Sequence, residues 1–250
     1  MKKVRIDTSQ KMTADAVRLG QQIPYIHALV ELDVTEAKIA LRNYRKVHGQ
    51  KISFSAYVMH CVAQATARHL QLTAVWGSRK KTLYDEVDFF FAYENSSHQL
   101  QHQLIRNIQR KSISQLHQIL SELVKGKNKP LMGSQKFFLK LPWSLRKLFY
   151  KIWFLSATTK KKYFGTVYFS SIINYSADRR TWGIPLPMHS LGIFIGTVSN
   201  RLIKNQGEIE ERQMLQITVS VDHRISNGGD MARFVHCLKD IIENQKLKIE

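Results

Sequence analysis

The sequence predicts a single α/β domain built on a mostly mixed sheet flanked by helices. Two observations carry that expectation. Stretches that are rich in β-branched and aromatic residues and read as strands are interspersed with stretches of helical spacing. The connections between them are long, and no internal repeat runs through the 250 residues. A hydrophobic content of 44% suffices for a real core in a chain of this length.

Taken in order, DTSQKMTADAVRLG reads as a helix with a polar cap and a glycine stop, after which Pro24 breaks the pattern. In YIHALVELDV, Ile26, Ala28, Val30, Leu32 and Val34 fall on one face, the period of a half-buried strand. Residues 35–47 and 54–70 return to helical spacing, EVDFFFAYE and LQHQLIRN read as strands, and a helix starts near SISQLHQILSELV. Three further strand-like runs, GTVYFSSI, SLGIFIGTVS and QITVSV, follow, the last two separated by a short hairpin around NQGE. In the closing helix, GDMARFVHCLKDIIENQ, Met231, Phe234, Val235, Leu238, Ile241 and Ile242 share a side.

Charge is the most unusual property of the composition. Thirty-eight Lys+Arg against 19 Asp+Glu give a net charge of +19, which favours anionic partners: nucleic acid, phospholipid or a phosphorylated cofactor. Between Glu122 and Asp178 no acidic residue occurs, while eleven basic ones do. Within this segment Leu141, Leu145, Leu148, Phe149, Ile152 and Leu155 recur at helical spacing, with Pro142 placed for a first turn. A basic amphipathic insertion over about 134–164 is the expectation. It reads either as a helix packed on the core or a trimer edge with its lysines in water, or as a docking element for an anionic membrane through residues 136–162; nucleic acid is the weakest alternative.

Cys61 and Cys237 lie in apolar surroundings without ligand spacing, so core thiols in a reducing compartment are expected, with no disulfide and no metal. No run of 18 apolar residues and no export signal is present, which places the chain in the cytoplasm, with membrane association left to the insertion.

The stretch SVDHRISNGG puts His223 between Asp222 and Arg224, soon followed by Asn227 and Gly228. On its own, a histidine at a strand end is more often structural than catalytic. With its context, QITVSVDHRISNGGDMARFVHCLKDII resembles the C-terminal signature of the acyltransferase components of 2-oxoacid dehydrogenase complexes, whose fold is that of chloramphenicol acetyltransferase. IPYIHALVELDVTEAKIAL, KISFSAYVMHCVAQATARHLQLTAVW and GTVYFSSI resemble further segments of that family in the same order.

The resemblance implies a chloramphenicol acetyltransferase-like fold and coenzyme A or an acyl-CoA as substrate. It also implies a homotrimer, or a multiple of one, with active sites between subunits. His223 then occupies the place of the general base and Ser170 that of the hydroxyl stabilising the oxyanion, with Ser171 implicated if the alignment slips by one. Moving an acyl group between thioesters needs a thiol deprotonated, and imidazole is the side chain whose ordinary charge change falls near physiological pH. The acceptor is left open between a small molecule and a lipoyl-bearing protein.

Asn227 stands where the resemblance leads one to expect an aspartate that holds the active-site loop; this reads as attenuation or altered substrate choice, or as the mark of an inactive descendant. No lipoyl-bearing or subunit-binding domain is recognisable, so no lipoyl group is expected on this chain, and residues 98–105 and the basic insertion also depart from the pattern. Two functions therefore stand: a CoA-dependent acyltransferase, or a noncatalytic trimeric scaffold or membrane-surface-binding protein of the same fold.

Overall fold

The computed structural model describes residues 6, 8–77, 79–95, 100–125, 138–175, 179–205 and 207–244. Helix α1 (Thr8–Gly20) leads into strand β1 (Tyr25–Asp33), then α2 (Thr35–His48) and α3 (Phe54–Arg68). Two very short strands, β2 (Val75–Trp76) and β3 (Lys81–Thr82), pair with each other. Strands β4 (Phe89–Glu94) and β5 (Leu100–Ile105) are followed by α4 (Ile113–Val124). The basic segment contributes α5 (Trp143–Leu155) and α6 (Ala157–Phe164) before β6 (Val167–Ser171), β7 (Leu191–Asn205), β8 (Glu208–Asp222) and α7 (Gly228–Asn244).

Six strands form one sheet in the order β1-β8-β7-β6-β4-β5. β6 runs parallel to both neighbours, while the other pairs are antiparallel, so the sheet is mixed. Its core face is covered by α3, α4 and α7. α3 starts where Ser53 accepts the Ala56 N–H on its hydroxyl at 3.3 Å. From there it buries Ala56, Val58, Met59, Val62, Ala63 and Ala65, apolar nearly all round as a helix between two layers must be. α2 stops at Gly49, whose φ of +66° is the left-handed cap that glycine adopts without strain. α4 opens with a reciprocal capping box between Ser112 and Gln115.

The alternation foreseen in β1 holds: Leu32 and Val34 are buried, and Ile26, Ala28 and Val30 pack against the core. In β6, Val167 and Phe169 point into the core, so Tyr168 and Ser170 point out of the opposite face. The last helix buries Phe234, Leu238, Ile241 and Ile242 as its pattern predicts.

Three expectations need correction. The short hairpin around 205–208 is the tip of two strands of 15 residues each. Its outer half has charged residues on both faces, held by pairs such as Arg201–Glu31 and Arg212–Glu36, and so shows no period-two signal. The expected single amphipathic helix is two: Ser156 caps a new start by accepting the Thr159 N–H, which divides α5 from α6. The start of the expected insertion, 134–137, lies outside the described residues.

Most consequential is which side of α5 faces inward. Leu145, Leu148, Phe149 and Ile152, read as the packing stripe, are 46%, 54%, 42% and 52% exposed. The buried positions are Arg146 and Tyr150. Arg146 grips Asp15 of α1 through Nε and Nη2, both at 2.7 Å, and donates from Nη1 to the Leu141 carbonyl at 2.5 Å. Trp153 and Tyr150 pack around Phe138, with ring centres 5.3 Å away in each case. Arg146, one of the eleven basic residues of the segment, is therefore an internal clasp.

Candidate active site

His223 follows directly on β8, where its backbone N–H donates to the Pro24 carbonyl. Its ring is exposed, and Nδ1 lies 3.0 Å from the carbonyl oxygen of Ser226. A carbonyl only accepts, so Nδ1 carries the proton in this contact and Nε2 keeps its lone pair. The turn that sets this geometry is stapled from both sides. Asp222, buried, takes two bonds from the Arg224 guanidinium and one from its backbone N–H, and this pairing holds the arginine's pKa above its ordinary value.

Asn227 accepts the Asp230 N–H on Oδ1 at 3.0 Å, and Asp230 Oδ2 faces the Asn227 N–H at 3.5 Å. Asn227 thus caps α7 and ties the end of the histidine loop to that helix. Asp230 also receives the Ser226 hydroxyl and Arg233; the Arg233 contact, ahead of the others, keeps its carboxyl below the usual carboxylate range.

Ser170 shares the outer face of β6 with Tyr168. Burial raises the Tyr168 pKa, an effect that the nearby Ser170 hydroxyl partly offsets. His189 stands beside Tyr168, with ring centres 6.2 Å apart. His189 is buried, donates from Nε2 to the Phe164 carbonyl at 2.7 Å, and stacks near Phe90. The carbonyl fixes the proton on Nε2, and Nδ1 has no hydrogen-bond partner among the described residues. Burial, reinforced by the nearby Lys160 cation, pushes its pKa down to about 3. Lys160 is itself buried against Phe154, which lowers its pKa to about 8 despite Asp222 nearby. No local motif flags these groups, because α6 and the 181–190 loop bring them together from distant positions.

Ser171 points the other way. Its hydroxyl accepts the Ile173 N–H, and it lines a cleft of about 620 Å³ with Ser53, Ser55, Met59, His117 and Phe169. A smaller cavity of about 240 Å³ is lined by Trp76, Lys160, Ser190, Asp222 and Arg224. The larger cleft is thus on the Ser171 side, not the Ser170 side.

The fold does not bring Ser170 and His223 together within one chain. Ser170 is level with Phe194 on β7, and Phe194 with Thr218 on β8. His223 is five residues further along and two strands across, roughly 20 Å at ordinary strand spacings. Among the described residues no group of three or more His, Cys, Asp or Glu could hold a metal ion, and both cysteines are free, with burial pushing the Cys61 thiol up to about 12.

This sheet, with helices on its core face and an Asp-His-Arg turn at the end of its longest hairpin, has the fold of the chloramphenicol acetyltransferase-like acyltransferases. A probable dihydrolipoamide acetyltransferase from Listeria monocytogenes superposes with a TM-score of 0.76 at 20% identity, covering 100% of this chain and 99% of that one. A chloramphenicol acetyltransferase superposes at 0.54 and 14% identity, over 97% of this chain and 100% of that one. The family model for 2-oxoacid dehydrogenases acyltransferase (catalytic domain) matches residues 1–135 and 184–249, and the chain belongs to that family.

The lipoamide acyltransferase component of the branched-chain alpha-keto acid dehydrogenase complex of Bacillus subtilis is 24% identical over 232 residues, 91% of this chain and 48% of that protein. The chain spans about half the length of the curated relatives it matches. The unmatched stretch, 136–183, contains α5, α6 and also Ser170. A crystal structure of the Azotobacter vinelandii dihydrolipoamide acetyltransferase, with a TM-score of 0.74 and 18% identity over 98% of this chain and 92% of that one, addressed the role of a serine, a histidine and an asparagine in its catalytic mechanism. Its histidine and asparagine are four positions apart, as His223 and Asn227 are, so an asparagine at this spacing occurs among the protein's structural relatives.

Proposed function

We propose that the protein is a CoA-dependent acyltransferase whose active sites lie between the subunits of a homotrimer, or of a larger assembly of trimers. The observation that carries this reading is the exposed His223 ring, held through Nδ1 by the Ser226 carbonyl so that Nε2 is free to take a proton. In the proposed reaction Nε2 removes the proton of an incoming thiol, and the thiolate attacks the carbonyl carbon of a thioester. The oxyanion that forms accepts a hydrogen bond from Ser170 of the neighbouring copy. Collapse expels the second thiolate, which recovers the proton from the imidazolium. Asn227 holds the loop through its cap on α7. The partner thiol is that of CoA, and the other thiol belongs to a small molecule or a lipoyl-bearing protein.

A neighbouring copy is required because about 20 Å separates the two side chains in one chain. The test follows from that geometry. His223→Ala and Ser170→Ala are each expected to lower thiol release from an acyl-CoA, assayed with dihydrolipoamide as acceptor, by about 10²-fold or more. If the two variants are dissociated, mixed in equal amounts and reassembled, roughly a quarter of head-to-tail sites regain both groups, so activity returns to about that share. No recovery on mixing would show that the two residues do not act together across an interface. Full activity of His223→Ala would remove the histidine from the chemistry and leave the scaffold reading.

A further inference from the structure

The helix α5 is turned inside out relative to an ordinary surface helix. It points a guanidinium and a phenol inward, onto the buried carboxylate of Asp15. It leaves Leu145, Leu148, Phe149 and Ile152 in water, four large apolar side chains along one stripe. Scattered exposed apolar residues are normal on a protein surface, but a contiguous stripe signals a partner. Lys147 and Lys151, one helical turn apart and both exposed, flank that stripe, and Lys140 lies just before the helix. The segment belongs to the stretch that the family model leaves unmatched.

From this arrangement we infer that α5 docks the protein onto an anionic lipid surface, with the Leu145–Ile152 stripe entering the headgroup boundary and Lys147 and Lys151 meeting the lipid phosphates. Charge decides between occupants. A second copy packed face to face on α5 would bring these lysines against their own counterparts, with no acidic side chain in residues 123–177 to receive them, and the oligomer mass of the stripe variant tests for a head-to-tail neighbour. An anionic bilayer accepts both the lysines and the apolar stripe. The helix has 13 residues, about 20 Å of length, which fits a position in the plane of the interface and is too short to cross a bilayer of roughly 30 Å. The buried clasp to Asp15 supplies what such a device needs: a fixed helix, already formed, with its stripe displayed outward.

Flotation of the intact protein with equimolar phosphatidylglycerol and phosphatidylcholine vesicles, against pure phosphatidylcholine, tests this. Binding is expected to the anionic vesicles only, and to weaken at high salt. Lys147→Gln with Lys151→Gln should lower affinity about twenty-five-fold at low salt, about fivefold per lysine. Leu148→Ser with Ile152→Ser should lower it by about a hundredfold or more. Both pairs sit on the exposed face, so melting temperature should hold, and the mass by light scattering should match the parent. Absence of flotation with anionic vesicles, or equal flotation of the parent and the stripe variant, would overturn the inference. So would a drop in oligomer mass for Leu148→Ser with Ile152→Ser, which would show that another copy covers the stripe.

Discussion

Arg146 and Asp15, 131 positions apart in the chain, meet in a two-pronged ion pair with both contacts at 2.7 Å. Asp15 is 1% exposed, and Tyr150 adds a third, longer contact at 3.4 Å. A pair this deep is held in place by the cost of breaking it. Arg146→Gln strands a buried carboxylate and should lower stability by about 3–5 kcal/mol, whereas Asp15→Leu with Arg146→Met removes both charges and should cost far less. Urea denaturation of the single and double variants measures the difference. Equal losses would mean that the pair is not the clasp.

Ser170 and Ser171 face opposite sides of the sheet, so they can be separated by single substitutions. Ser170→Ala is expected to reduce turnover by about 10²-fold with little change in CoA binding, because the lost donor acts on the transition state. Ser171→Ala should leave turnover near the parent value. The reverse result would transfer the oxyanion role to the serine that lines the larger cleft.

Asn227 contributes through the start of α7. Asn227→Ala removes the acceptor for the Asp230 N–H and should cost about 1 kcal/mol, read as a lower melting temperature. Asn227→Asp keeps that acceptor and adds a negative charge where a helix start favours one, so its melting temperature should equal or exceed the parent's. If the charge instead destabilises the loop, the site is built around the amide.

His189 makes the fold acid-sensitive. Its folded pKa of about 3 lies below that of an unfolded histidine, so the unfolded state binds the extra proton between about pH 6.5 and 3. Stability from this group is complete above pH 6.5 and falls by about 1.4 kcal/mol per unit as the pH drops through that window. His102, also lowered by burial, to about 4, acts in the same direction from across Phe90, while Lys160 stays charged throughout. His189→Leu should flatten the acid limb of a melting-temperature profile by one proton's worth. An unchanged slope would place the acid sensitivity elsewhere.

The sequence announces some of these features and hides others for identifiable reasons. The strand pattern from Ile26 to Val34 is legible because only one face of β1 meets the core. The cap at Asn227 is legible too, as an asparagine three residues before an acid at a helix start. The orientation of α5 is not. Trp143, Arg146, Tyr150 and Trp153 recur at helical spacing, as Leu145, Leu148, Phe149 and Ile152 also do, so periodicity defines two stripes and hydrophobicity alone points to the one that faces outward. What turns the helix is Asp15, a partner far away in the chain. The buried His189 and Lys160 are hidden for the same reason, since the 181–190 loop and α6 bring them together only in the folded chain.

The register of β1 against β8, from Tyr25 opposite Asp222 to Asp33 opposite Met214, also has a kinetic consequence. β1 pairs with β8 alone in this sheet, and their paired residues lie more than 180 positions apart, so β8 must be synthesised before β1 has its neighbour. Closing so large a loop makes the contact entropically slow, and until then β1 offers an open edge with an apolar face. The nascent chain is thus most prone to aggregation before β8 emerges, and refolding from denaturant should be slow and favoured by dilution.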